Sequence, residues 1–181
     1  MRPPNLNHYQ YNMPDTGLIT KVATVLPGTI VESYTRHGNE VIVIQRDEGP
    51  HVFSTLRDHP DFAFTCLSDL TAVDFFGQEP RFEIVYVLYS IPKNHRLRVK
   101  IRVAEDDAWA HTVSHLWKSG NWLEREVWDM FGIKFKDHPD LRRILMYEEF
   151  RGYPLRKDYP VQKRQPLVEE RDPISNPWPK R

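Results

Sequence analysis

His111 and His115 stand four residues apart, and on a helix that spacing puts both imidazoles on one face at metal-ligand distance. A stand-alone metal hydrolase could be built on such a pair. The zinc-hydrolase pattern, however, needs a glutamate directly after the first histidine as general base, and Thr112 occupies that place. No third ligand is indicated, so ordinary helix histidines are the better reading. Glu124, Glu126 and Asp129 invite a second reading as paired acid–base carboxylates. Arg125 lies among them, and Arg142 and Arg143 follow after a turn. Such mixed charge is better explained as an ion-pair network that locks a helix to a neighbouring segment, since guanidinium forks hold carboxylates in fixed geometry. His138, ahead of Pro139, could be a lone base, but no nucleophile is spaced to complete a site. Only 8 glycines occur, and none has the spacing of a phosphate-binding loop or a dinucleotide fingerprint. The chain carries no convincing catalytic constellation, and this points to a structural or interaction role.

The elements that must position these residues follow from periodicity and punctuation. Residues 1–14 are polar and proline-rich and read as an N-terminal arm. Asp15 caps an expected helix over 16–26, where Leu18, Ile19, Val22, Val25 and Leu26 recur at helical spacing. Strands near 29–36 and 40–46 flank the turn His37-Gly38-Asn39. A short helix near 51–59 stops at Pro60. Three β-like runs follow at 64–76, 81–90 and 96–103. In the last, Leu97, Val99, Ile101 and Val103 alternate with Arg96, Arg98, Lys100 and Arg102. That alternation implies a sheet covered on one face, its basic face either solvated or offered to an acidic partner. A helix is expected over 107–118, ended by Ser119-Gly120. A second, over 122–131, opens with a capping box between Asn121 and Glu124, stops at Gly132, and pairs Arg125 with Asp129.

From Pro139 onward, prolines at 139, 154, 160, 166, 173, 177 and 179 interrupt every potential element. A run of this kind buries too little apolar area to fold alone, so it reads as disordered or as an arm ordered by another protein. Its embedded Phe150, Tyr153, Leu155, Tyr159 and Trp178 favour the second. The expected architecture is therefore α+β: a mixed or antiparallel sheet with helices on one face, spanning 15–138, then an extended partner-binding arm over 139–181.

Composition bounds the function classes. At 181 residues the chain suits one domain with extensions, and 25 basic against 25 acidic residues imply no nucleic-acid partner. The single Cys66 excludes an intramolecular disulfide and an iron–sulfur cluster held by four thiolates of this chain. No run approaches the roughly 20 apolar residues that span a bilayer. Neither a secretory signal nor a transit peptide is recognised at the start, so membrane association is expected through partners.

The block Glu124-Arg125-Glu126, Asp129, Met130-Phe131, His138, Arg142, Ile144-Leu145, then Phe150, Gly152 and Pro154-Leu155-Arg156-Lys157-Asp158-Tyr159-Pro160, resembles the signature of one family. That family is the 30 kDa (C-type) subunit of proton-pumping NADH:quinone oxidoreductase, respiratory complex I. A weaker likeness extends back through Arg81–Val103. After Pro160 many members continue with a Leu-Thr-Gly-Tyr-like segment, whereas this chain has Val161-Gln162-Lys163-Arg164, which leans toward a bacterial form.

The resemblance implies a non-catalytic scaffold subunit of the peripheral arm, packed against the larger (D-type) quinone-pocket subunit. It would lie on the cytoplasmic side of a bacterial inner membrane. FMN and the Fe-S clusters would belong to partner subunits and none to this chain. Arg125 and Asp129 would lock the second helix. Arg142, Arg143, Arg156, Lys157 and Asp158 would fix the arm to the quinone-pocket subunit, with Phe150, Tyr153 and Tyr159 as anchors. Glu124, Glu126 and His138 complete the signature. An equivalent subunit of a membrane-bound hydrogenase or formate-oxidising complex is the alternative, and the metal hydrolase a remote one.

Overall fold

The computed structural model describes residues 17–165. Its centre is a five-stranded sheet of β1 (Ile30–Arg36), β2 (Asn39–Ile44), β3 (Cys66–Asp74), β4 (Phe82–Ser90) and β5 (His95–Val103). The spatial order is β1-β2-β5-β4-β3, with β2 and β5 parallel and every other neighbour antiparallel. The α+β class and mixed sheet expected from the sequence are present.

Alternation decides which face is covered. Leu97, Val99, Ile101 and Val103 of β5 are buried, and they stand opposite Leu88, Tyr86, Ile84 and Phe82 of β4. Shifting β5 by one residue would carry Arg96, Arg98, Lys100 and Arg102 into the core, so its register is strongly specified. The β1–β2 connection is a two-residue turn with positive φ at both His37 and Gly38, the backbone twist that suits a tight hairpin. Helices α1 (Leu18–Val25) and α2 (Gly49–Asp58) contribute Leu18, Val22, Val52, Phe53 and Leu56 to the same core. Phe53 lies 4.5 Å from Tyr86, ring centre to ring centre. Each such side chain contributes about 1.5–3 kcal/mol when fully buried. Helix α2 carries Pro50 in its first turn and ends at His59, whose extended backbone is what the following Pro60 demands. Asp15, the expected cap of the first helix, lies outside the described residues, as does Trp178.

Residues 107–118 depart from expectation. They form no helix. Instead β6 (Trp109–His111) pairs in parallel with β7 (Lys134–Lys136), and the chain turns through 112–117 into α3 (Lys118–Phe131). Gly120 does not end a helix but sits within the first turn of α3. A Cβ there would lie 3.3 Å from the Ser114 backbone, so this glycine permits a close approach of turn and helix. The Asn121–Glu124 capping box is likewise absent. Glu124 reaches back to the 112–113 turn, accepting the Thr112 hydroxyl at 2.6 Å and the Val113 N–H at 2.6 Å. Helix α3 ends as expected at Gly132, in the left-handed conformation.

Candidate functional site

Helix α3 carries Trp122, Arg125, Glu126 and Asp129 at spacings of three and four, which places them on one side of the helix. Asp129 is fully buried. Its Oδ1 accepts from Arg143 Nη1 at 2.5 Å, and its Oδ2 accepts the consecutive backbone N–H groups of Ile144, Leu145 and Met146 at 3.1, 2.9 and 2.8 Å. Burial alone pushes this carboxyl up, but the amides of Met146 and Leu145 and the Arg143 guanidinium outweigh it. The net position is below the usual carboxylate range. The expected Arg125–Asp129 pair does not form. Arg125 instead donates to the carbonyl oxygens of Arg142 and Arg143, both at 3.1 Å. Each residue of the expected pair therefore bonds the 142–146 segment rather than the other.

Arg143 extends that clamp. It donates to the Gly152 carbonyl at 3.2 Å, and its guanidinium lies 5.6 Å and 5.8 Å from the ring centres of Phe150 and Tyr153. The Tyr153 ring covers Gly132, where a Cβ would stand 2.5 Å from the ring edge. Phe150 stacks on Tyr159 with ring centres 6.0 Å apart, and Gln165 bonds the Tyr159 hydroxyl.

A second hub was invisible to sequence reasoning. Buried Arg81 forks onto Asp74, with both contacts at 2.9 Å, and reaches Glu105 at 2.6 Å and Asp158 at 2.7 Å. Asp74 also accepts the Lys157 N–H at 2.8 Å. The guanidinium of Arg81 holds the carboxyls of Asp74 and Asp158 below their ordinary values, and those carboxylates raise Arg81 in turn. Alongside, the Leu155 N–H donates to the Met130 carbonyl at 3.1 Å and Arg156 Nε to the Phe131 carbonyl at 2.5 Å. These are carbonyls that a helix C-terminus leaves without intrahelical partners. No spacing rule reaches from Asp74 to Asp158. The one local signal was a lone arginine between the Gly77–Pro80 turn and an apolar strand.

Residues 139–165 contain no helix or strand, yet they are tied along their length to the chain's own α3 and sheet. This differs from a segment shaped by a partner alone: Arg143, Arg156, Asp158 and the Lys157 backbone are spent inside the chain. Among the described residues, the Arg142 side chain pairs only with exposed Asp140, at 2.8 Å. Glu126 is exposed and takes no part in the seam. His138 accepts the Asp140 N–H on Nδ1 at 3.0 Å, so its proton sits on Nε2, 3.0 Å from the Asn121 carbonyl oxygen. Glu124 belongs to the β6–α3 turn.

Beside these exposed charges, several large apolar groups remain outward. Trp122 is 59% exposed, Leu145 56%, Leu155 54% and Tyr147 41%. His111, on β6, and His115, in the turn after it, share no helix face, so the pair expected of a metal hydrolase does not exist. Among the described residues no three His, Cys, Asp or Glu side chains converge as a metal site, and no helix is long and apolar enough to cross a membrane. The arrangement is suited to positioning a surface.

Comparison with known proteins agrees with the signature. The family model described as "Respiratory-chain NADH dehydrogenase, 30 Kd subunit" matches residues 42–165. A relative from Geotalea uraniireducens, named as the C-type subunit of NADH-quinone oxidoreductase, is 40% identical over 144 residues, 80% of this chain and 87% of its own. Among solved structures, a trypsin-resistant fragment of Nqo5 is 30% identical with a TM-score of 0.59, covering 68% of this chain and 96% of that one. A chain of the membrane-bound sulfane sulfur reductase, an archaeal respiratory membrane complex, shares the fold at 24% identity with a TM-score of 0.63. That match covers 85% of this chain and 96% of the other. The clamp, the signature and these matches have one reading: the chain belongs to the respiratory-chain NADH dehydrogenase 30 kDa subunit family.

Proposed function

We propose that the chain is a non-catalytic structural subunit of the peripheral arm of NADH:quinone oxidoreductase, and that its 139–165 seam docks on the quinone-pocket subunit. One observation carries this reading. Arg125, Asp129, Arg143 and Arg156 of the signature bond inward and fix a segment without secondary structure, while Trp122, Leu145, Tyr147 and Leu155 stay outside. Apolar and aromatic groups held rigidly at a surface are what a stable interface between subunits buries, with little ordering cost left at association.

In this role FMN and Fe-S clusters belong to partner subunits, which supply the electron path from NADH to quinone. This chain contributes only the position and orientation of what it touches. Its Cys66 is a single half-buried thiol, and no nucleophile–base pair is assembled in the seam. Membrane association at the cytoplasmic side of a bacterial inner membrane would come through the complex. The likeness to a chain of an archaeal respiratory complex concerns fold and does not favour a hydrogenase or formate-oxidising assembly.

Purifying the tagged chain from its own cells tests the reading. Copurification with a flavin- and NADH-binding subunit and with NADH:quinone activity is expected. Copurification with a nickel-site subunit instead, or turnover by the isolated chain, would contradict it.

A further inference from the structure

The basic strand β5 divides into two halves with different fates. At its far end Lys100 donates to Glu83 at 2.6 Å, and Arg102 reaches Glu83 at 3.3 Å and Glu32 at 2.8 Å. These cations are neutralised within the sheet. At its near end exposed Arg96 and half-buried Arg98 share one face of the sheet and form no ion pair among the described residues. Exposed Arg36, at the end of β1, shares that face by register, and neither it nor exposed Lys93 in the β4–β5 turn forms an ion pair among the described residues. The ladder gathers them: Asn39 of β2 stands opposite Arg36, and parallel β2 and β5 begin side by side with Glu40 opposite Leu97. The nearest acid on that end, Glu40, is buried. Asp69 lies in the same row as Arg98 but across Val87, two strand spacings or about 10 Å away. A chain of zero formal net charge thus concentrates unpaired cations at one end of its sheet.

Two further features mark that end as more than a solvated rim. Arg96 lies over the half-buried Tyr89 ring, 5.6 Å from its centre, which holds the guanidinium as a flat, oriented donor. Beside it Ile91 is 65% exposed in the turn. Arginine and tyrosine around an exposed aliphatic group is the composition of protein interfaces, where lysine is depleted. Three of the four cations here are arginines, whose forks match carboxylates two bonds at a time.

We infer that this hairpin end is a second docking surface, for an acidic surface of a neighbouring polypeptide. It lies a full strand length, about 30 Å, from the Asp74–Arg81–Asp158 seam, because β4 and β5 are nine-residue strands and the seam adjoins their opposite ends. The protein then bridges two partners along its sheet axis. This rests on its membership of a multi-subunit complex.

The test is the charge reversal Arg36→Glu, Arg96→Glu, Arg98→Glu in the intact complex, with the amount of every subunit measured by mass spectrometry across a NaCl series. In the wild-type complex, zero-length carbodiimide coupling should join Lys93 to an Asp or Glu of a stoichiometric subunit. The variant should keep the seam partner, which also shows that it folds, and release that coupled subunit at about half the wild-type salt concentration or lower. A variant that retains every subunit as wild type does, at every salt concentration, overturns the inference. So does full retention with loss of binding to anionic phosphatidylglycerol vesicles, which assigns the patch to lipid. If nothing copurifies even with the wild-type chain, the fault lies in the reading of the chain as a subunit.

Discussion

Asp129 and Glu124 are both fully buried carboxylates on one helix, yet their surroundings push them in opposite directions. Asp129 collects three amides and a guanidinium and stays ionised. Glu124 has one hydroxyl and one amide, too little to offset burial, and is raised to about 7. Glu124 therefore binds its proton more tightly folded than unfolded, so its contribution is fully present below about pH 4.5 and is lost as pH rises through about 7. The span corresponds to about 3 kcal/mol. Urea unfolding of wild type between pH 4.5 and 8 should show that decline, and Glu124→Gln should flatten it. Asp129 behaves inversely: its contribution is present above the ordinary carboxylate range near 3.8 and disappears as pH falls through its lowered folded value. Asp129→Ala leaves Arg143 and three amides without their acceptor and should cost about 3 kcal/mol or more. A cost below about 1 kcal/mol in denaturant titration would remove Asp129 as the anchor. Both residues stand out in the sequence as charges on an amphipathic helix. Their partners do not, because Thr112 and the 144–146 amides are brought to them by turns that leave no periodic trace.

Elements with a strict period were readable, and elements made by pairing were not. The alternation of β5, the two-residue turn after β1, Pro60 and Gly132 each mark their place through local sterics. The helix expected over 107–118 fails because Ser119-Gly120 is no stop signal: Gly120 serves the packing of α3 on Ser114. The short β6 exists only by pairing with β7, across more than twenty residues. Gly132 combines two demands, a left-handed backbone and the Tyr153 ring lying against it. Gly132→Ala should therefore cost more than the ~1–2 kcal/mol of the backbone term alone. It should also expose 145–157 to limited proteolysis. Arg81→Ala should loosen the same segment from its other end, since Asp158 and the Lys157 amide lose the hub that orients them. Wild-type cleavage rates in both variants would show that the seam does not depend on these contacts.

At the scale of the molecule, balanced charge, one cysteine and proline-dense 139–181 argued for a partner-dependent chain. The family signature named the kind of assembly. What remained hidden was how much of 139–165 the chain holds by itself, because the hub at Arg81 joins residues more than seventy positions apart. In the proposed role, docking depends on the apolar groups that this hold leaves outside. The most direct measurement uses Leu145→Asp with Leu155→Asp, two exposed positions whose side chains take no part in the clamp. The isolated variant should unfold at the wild-type denaturant midpoint, while the complex purified from cells expressing it should lack this subunit and lose NADH:quinone activity. A variant that assembles and turns over like wild type would contradict the claim that this seam is the docking surface.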